Sequence, residues 1–214
     1  MKKIMFNDKF LLTQAVLNET KTMTRRIAKF EPPARLYDEV YNIEGGMNDK
    51  GQWILTLFNK YGEIIGDIIP RYNVGEVVAI AQPYKTLYPN ADFEMEDSYH
   101  FLTESKGWNN KMFVKADLMP HHIKITDVKI ERLQDITEED CLKEGIRKAT
   151  IGYYVDGLMV RDWEKESHRE TESGNIKLFP TPKLAYASLI NKICGKGTWE
   201  RNPWVEAYTF TRVD

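Results

Sequence analysis

The sequence contains few cysteines and no long apolar run. Its two cysteines, Cys141 and Cys194, lack the paired spacing of a disulfide framework, which favours a reducing compartment. No apolar run is long enough to cross a bilayer, and the opening residues, MKKIMFND, lack the apolar core of a signal peptide. The sequence therefore predicts a cytoplasmic protein without a membrane segment.

The chain also lacks an excess of charge of one sign. Its 30 lysines and arginines face 32 aspartates and glutamates, which gives a formal net charge of −2. Long, non-specific binding to a duplex requires a broad cationic surface. The composition excludes that class of binder and restricts any nucleic-acid site to a local one.

Hydrophobic periodicity predicts a mixed α+β protein with no internal repeat. A helix is predicted over residues 8–18 with Asp8 as its N-cap, and further helices over 137–145 and 183–193, the last with a core stripe of Leu184, Ala187, Ile190 and Cys194. Strands are predicted at 53–58, 63–69, 77–80, 122–133 and 204–213, the first two forming a hairpin.

Short strands with few helices favour a small barrel decorated with helices. Residues 29–52 are polar and rich in proline and glycine, which indicates a loop. We predict one domain over residues 1–214 with two long insertions, at about 29–70 and 147–182. A change of face near Thr126-Asp127 predicts a bulge in the long strand.

Residues 20–27 place an amine, several hydroxyls and two guanidiniums directly after the first predicted helix. Lysine and threonine together suit acid/base or nucleophilic work, and arginine holds an anion or a polar base edge. As a strand, the segment would put Lys21 and Thr24 on opposite faces; in a turn, their three-residue offset would bring them together. The sequence leaves both conformations open.

A metal site is not predicted. Adjacent histidines on a strand, His121 and His122, point to opposite faces, and no carboxylate or cysteine stands at ligand spacing. No cofactor is expected either.

Several segments, in order along about half of the chain, resemble the ASCH-domain family, in particular its longer phage- and prophage-associated members. They are KTMTRRI at 21–27, GEVV at 75–78, ITDVKIERLQDITEED at 125–140, EGI at 144–146 and NPWV at 202–205. The resemblance implies a PUA-like β-barrel fold. Most members of the family are inferred RNA binders, and one small bacterial type is an amidohydrolase that removes the acetyl group from acetylated cytidine.

The resemblance also implies site residues. The lysine, threonine and glutamate of the amidohydrolase type match Lys21, Thr24 and Glu144, and the family's arginine matches Arg26. The chain departs at Glu19, where many members have glycine, and a glutamate there would pair with Lys21 and hold it protonated.

Amide hydrolysis assigns a role to each matched residue. Thr24 would supply the nucleophile, Lys21 its base, and Glu144 the proton for the leaving amine. Arg26 would fix the base edge or the oxyanion. Further substrate contacts are predicted at Thr22, Arg25, Trp199 and Arg201, the last two on an exposed loop.

These residues also have ordinary structural interpretations. The 21–27 segment is also typical of an ordinary half-exposed strand, and Glu144 of a solvated residue in a last helical turn. The leading hypothesis is recognition of RNA or a modified nucleoside, with hydrolysis of an N4-acylated cytidine as the candidate reaction. The alternatives are a non-catalytic RNA-binding or phage-accessory module and an ancestral cleft that survives without activity.

Overall fold

The computed structural model describes residues 1–28, 39–51, 53–89, 103–158 and 176–214, which form ten strands in three sheets and five α-helices. The strands are β1 (Lys3–Ile4), β2 (Met23–Ile27), β3 (Asn42–Met47), β4 (Trp53–Phe58), β5 (Ile64–Ile68), β6 (Val77–Ile80), β7 (His122–Arg132), β8 (Arg147–Lys148), β9 (Tyr153–Tyr154) and β10 (Trp204–Arg212). The helices are α1 (Leu12–Leu17), α2 (Tyr84–Leu87), α3 (Glu138–Lys143), α4 (Pro182–Ile193) and α5 (Thr198–Arg201). The predicted α+β class is confirmed.

The largest sheet has the order β1-β6-β7-β10-β2. Its first pair is parallel and the other pairs are antiparallel. The main hydrophobic core joins inward residues of β1, β6, β7 and β10 to apolar residues of α1, α3 and α4. Of these helices, α3 also contacts β2, the last strand of the sheet.

A bulge occurs in β7 where the sequence predicts one. Thr209 of β10 pairs with Asp127, whereas the next residue, Phe210, pairs with Ile125. Thr126 is thus an extra residue, and it allows Ile125 and Val128 both to be buried although a regular strand would turn them to opposite faces.

The two edge strands of this sheet face each other across a seam. Arg26 of β2 donates a hydrogen bond through Nη2 to the carbonyl oxygen of Met5, the residue after β1, at 2.7 Å. The sheet is therefore curled, but the described strands form no hydrogen-bonded ladder across the seam, so the barrel is not closed.

The first predicted insertion contains more regular structure than its glycines indicate. Residues 42–47 form β3, which pairs with β4 in a three-stranded sheet, so the loop predicted over 29–52 is wrong for this segment. A Cβ atom on Gly45 would lie 2.6 Å from the Trp53 ring, so this glycine makes room for a cross-strand aromatic side chain. Residues 29–38 and Gln52 lie outside the described part of the chain.

The predicted β4–β5 hairpin is confirmed, with Gly62 at a φ of 77° in its turn. The predicted 8–18 helix is interrupted: a 3-10 turn spans Asp8–Phe10, capped by Asn7 rather than Asp8, and Leu11 at a φ of 50° separates it from α1. Among the described residues no helix is long and apolar enough to span a membrane.

The second predicted insertion contributes to the core. Its first part forms the β8–β9 hairpin, and Val155 and Leu158 just beyond it are buried in the main cluster. Residues 159–175 lie outside the described part. The predicted helices at 137–145 and 183–193 correspond to α3 and α4.

Candidate functional site

A cavity of about 220 Å³ opens at the seam of the curled sheet. Its wall is formed by β2, by the segment after β1, and by residues of α1 and α4. Five of the residues predicted for catalysis or binding line it: Lys21, Thr24, Arg25, Arg26 and Glu144. The tertiary fold thus brings together residues that lie more than 100 positions apart in the chain.

Lys21 lies in the connection between α1 and β2, so the turn conformation left open by the sequence is the one adopted. Its side chain is 2% exposed. The ammonium group donates to the Met23 carbonyl oxygen at 2.7 Å, to the Glu144 carbonyl oxygen at 2.7 Å and to Glu144 Oε2 at 2.6 Å. All three donors of the ammonium group are therefore satisfied.

Burial lowers the pKa of Lys21, and the charge and hydrogen bond of Glu144 oppose that effect in part. The partner expected from the sequence, Glu19, is exposed instead and takes no part in the pair. The acid that pairs with Lys21 is Glu144, 123 positions later in the chain.

Glu144 caps the C-terminal end of α3, and the chain turns away at Gly145, whose φ is 99°. The residue is only 3% exposed, so the solvated alternative for Glu144 is wrong. Its second carboxylate oxygen, Oε1, accepts a hydrogen bond from Arg25 Nη1 at 3.2 Å. Two cations from the β2 region thus hold this carboxylate in place.

Thr24 and Arg26 project from β2 into the cavity wall. Thr24 is buried. Burial lowers the pKa of Arg26, and its Nε is buried without a hydrogen-bond partner among the described residues. Of the three cations that line the cavity, Arg26 alone forms no ion pair within the described part of the chain.

Arg25, predicted as a substrate contact, lines the cavity, and its guanidinium group lies between carboxylates. Its guanidinium group contacts Glu131 at 2.7 Å, Asp140 at 2.8 Å and Glu144 at 3.2 Å. Burial acts to lower the pKa of Arg25, but Glu144 and Glu131 outweigh it and raise the value. This arginine therefore joins β2, β7 and α3 and fixes Glu144.

The other predicted contacts do not line the cavity. Thr22 uses its backbone, donating to the Lys143 carbonyl oxygen at 2.9 Å. Trp199 and Arg201 lie on α5 rather than on a loop, and Arg201 Nη2 donates to Thr198 Oγ1 at 3.0 Å. Trp199 packs edge-on against Tyr186, with ring centroids 6.2 Å apart.

Tyr186 is the cavity residue that the sequence reasoning missed. The predicted stripe of α4 is right for Ala187 and Ile190, which are buried, and wrong for Leu184 and Cys194, which are exposed. The buried face also includes Ala185, Tyr186 and Leu189. Tyr186 is 2% exposed, lines the cavity, and its hydroxyl has no partner among the described residues. The sequence offered one signal for this residue, a tyrosine on a helix face that packs on the core. The hydroxyl of a buried tyrosine needs a hydrogen-bond partner.

The backbone at Glu19 explains why glycine suits this position. Glu19 has a φ of 57°, the left-handed region that disfavours residues with a Cβ atom. We expect Glu19→Gly to raise the free energy of unfolding by about 0.5–1 kcal/mol, measured by urea denaturation. Glu138→Gly, in the first turn of α3, is the control and should lower the free energy of unfolding. A lower free energy of unfolding for Glu19→Gly would contradict the prediction.

No protein-family model, no curated protein and no solved structure matches the chain. The ASCH resemblance consequently stays a prediction from the motifs. The function has to be argued from the cavity and the side chains that line it.

Proposed function

We propose that this chain is an ASCH domain with a PUA-like barrel, which binds a modified nucleoside in the seam cavity and hydrolyses the amide of an N4-acylated cytidine. The observation that carries the proposal is the buried Lys21–Glu144 pair, joined at 2.6 Å, in the same cavity as Thr24. A buried, paired lysine and carboxylate beside a hydroxyl is an arrangement suited to nucleophilic catalysis.

The size of the cavity favours a small ligand over a nucleic-acid strand. Its 220 Å³ is below the range of about 300–1,000 Å³ typical of pockets for drug-sized ligands, and suits a single base with its acyl group. The net charge of −2 likewise gives little attraction to a long phosphate backbone. The substrate class is therefore a nucleoside, or one nucleotide of a chain presented at the seam.

The hydrogen bonds of Lys21 support a role in proton transfer. If the proton on Nζ moves to Glu144 Oε2, the neutral amine still donates to the two carbonyl oxygens and accepts from the carboxylic acid. The pair thus exchanges a proton without losing a hydrogen bond. Such a pair can hold a proton and return it, and neither state leaves a buried polar group without a hydrogen bond.

The reaction that follows uses these residues in two steps. In the state in which Glu144 holds the proton, the neutral Lys21 amine turns its lone pair from Glu144 to the Thr24 hydroxyl and takes its proton. The Thr24 oxygen attacks the acyl carbon, the C–N bond breaks, and Glu144 gives its proton to the leaving amine of cytidine. Water then hydrolyses the acyl ester on Thr24, giving the carboxylate, the free hydroxyl and one proton, which is released to solvent. Arg26 lies in the cavity wall as a donor for the oxygen that becomes negative during attack.

The test compares the turnover of two valine variants, one at Thr24 and one at Thr22. With N4-acetylcytidine as substrate, Thr24→Val is expected to reduce turnover by about 10⁴-fold or more, because the variant keeps the shape of the side chain but has no nucleophile. Thr22→Val is the matched control and should retain activity, because Thr22 does not line the cavity. Release of cytidine is followed by chromatography.

Full turnover by Thr24→Val would reject this nucleophile. No turnover of N4-acetylcytidine or of a panel of other acylated nucleosides by the parent protein would reject the reaction. Binding of RNA that weakens steeply with salt, without turnover, would support the non-catalytic RNA-binding module instead.

A further inference from the structure

Most polar groups around the cavity already have partners within the protein. Lys21 bonds to Glu144, and Arg25 binds three carboxylates. Two donors remain, because the Tyr186 hydroxyl and Arg26 Nε are buried without a hydrogen-bond partner among the described residues. A buried donor without a partner costs folding free energy, so a protein that retains two in one cavity has a reason to keep them.

The Tyr186 hydroxyl is held rigidly. The ring lies in α4, is 2% exposed, and is packed edge-on by Trp199. Burial raises the pKa of Tyr186 well above its usual value, so the hydroxyl stays neutral and keeps its proton to donate. Arg26 Nε has no lone pair to offer and can only donate.

We infer that Tyr186 is a ligand-binding residue of this cavity, whose hydroxyl, together with Arg26 Nε, donates hydrogen bonds to carbonyl or carboxylate oxygens of the ligand. The inference rests on the proposed function for the identity of the ligand. N4-acetylcytidine presents two such oxygens, one on the ring and one on the acyl group. Cytidine has a free amine in place of the acyl group, so the pair favours the acylated nucleoside over the deacylated one.

If this assignment is right, Tyr186→Phe stabilises the ligand-free protein and weakens ligand binding. The urea midpoint of the ligand-free protein should rise, because the variant removes a buried hydroxyl that has no partner. Binding of N4-acetylcytidine should weaken by about tenfold, because one hydrogen bond to the ligand is lost, whereas binding of cytidine should change less. A tyrosine with a purely structural hydrogen bond would give a lower midpoint and unchanged binding.

Binding is measured by calorimetry in a Thr24→Val background, so that no substrate is consumed. The probes are N4-acetylcytidine, cytidine and acetate, the last being the simplest carboxylate. The control is Tyr84→Phe, a buried tyrosine of the second hydrophobic cluster that does not line the cavity. It should leave the binding of every probe unchanged.

The outcomes separate this inference from the proposed reaction. If N4-acetylcytidine is not hydrolysed by the parent protein, yet binds more weakly to Tyr186→Phe, the reaction fails and the inference stands. Weakened binding of acetate alone also supports it, and identifies a carboxylate as the ligand group. The inference is overturned if Tyr186→Phe binds both N4-acetylcytidine and acetate as tightly as its parent does. It is also overturned if the parent binds neither probe. Both conclusions hold whatever the urea midpoint of Tyr186→Phe.

Discussion

Replacing Lys21 with methionine is expected to lower the free energy of unfolding by about 3–5 kcal/mol, the usual cost of removing one partner of a buried ion pair. Lys21 and Glu144 are joined at 2.6 Å with side chains 2% and 5% exposed, so water cannot take the place of the missing ammonium group. The two carbonyl oxygens bonded to Nζ lose their donor as well. Urea denaturation followed by circular dichroism measures the change.

A double-mutant cycle isolates the contribution of the pair. Lys21→Met with Glu144→Gln should be destabilised by less than the sum of the two single variants, because the double variant no longer contains the carboxylate that lost its ammonium partner. Lys143→Met is the surface control: its pair with Glu139 is exposed, and its loss should leave the free energy of unfolding nearly unchanged. Strictly additive effects of Lys21→Met and Glu144→Gln would contradict the coupling.

Replacing Arg25 with methionine is expected to cost about 4–5 kcal/mol at neutral pH, at the upper end for a broken buried ion pair. The guanidinium group is the common partner of Glu131, Asp140 and Glu144, and its side chain is fully buried. Its removal leaves three carboxylates close together, with repulsion added to desolvation.

The destabilisation caused by Arg25→Met should depend on pH through Asp140. Burial acts to raise the pKa of Asp140, but hydrogen bonds from Arg25 and Lys129 outweigh it and lower the value. In the parent, the stability contributed by Asp140 is therefore present above its unfolded pKa and is lost as the pH falls through the lowered folded pKa. Mild acidification from neutral pH does not remove it.

In the variant, Asp140 loses the hydrogen bond from Arg25 and keeps its contacts with Lys129 and Lys143. The burial that acts to raise its pKa is then opposed less strongly, so its folded pKa is higher than in the parent. Native Asp140 therefore takes up its proton at a higher pH in the variant than in the parent, and the destabilisation shrinks as the pH falls from 7 toward 4. The free energies of parent and variant should converge over this interval, measured by urea denaturation at each pH. Curves that stay parallel would contradict this account. Arg147→Met, which removes a partly exposed pair with Asp156, serves as the control.

Local patterns were sufficient to predict most of the elements. The alternation in β7 and β10, the bulge at Thr126 and the capped start of α3 at Thr137 all follow from side-chain period and backbone chemistry. The prediction failed at β3, because a glycine that admits a neighbouring aromatic ring has the same local signature as a glycine in a loop. Whether such a residue lies in a strand depends on a partner several residues away.

The candidate site could be predicted in part. Lys21, Thr24, Arg26 and Glu144 were named from motifs, and all four line the cavity. Arg25 has the same chemistry as its neighbour Arg26, but the fold surrounds it with carboxylates, which no local pattern indicates. Tyr186 was missed because the buried face of α4 is wider than the predicted stripe, of which only Ala187 and Ile190 are buried.

The sequence by itself determined the mixed α+β class, the order of the strands along the chain and the residue types able to carry chemistry. The tertiary structure alone decided that β1 and β2 face each other across a seam and that Lys21 pairs with a carboxylate 123 positions away. It also decided that two donors in the cavity have no partner within the described part of the chain. The physical reason is that periodicity and capping act over a few residues. Desolvation and ion pairing depend on which distant segments exclude water from the same space.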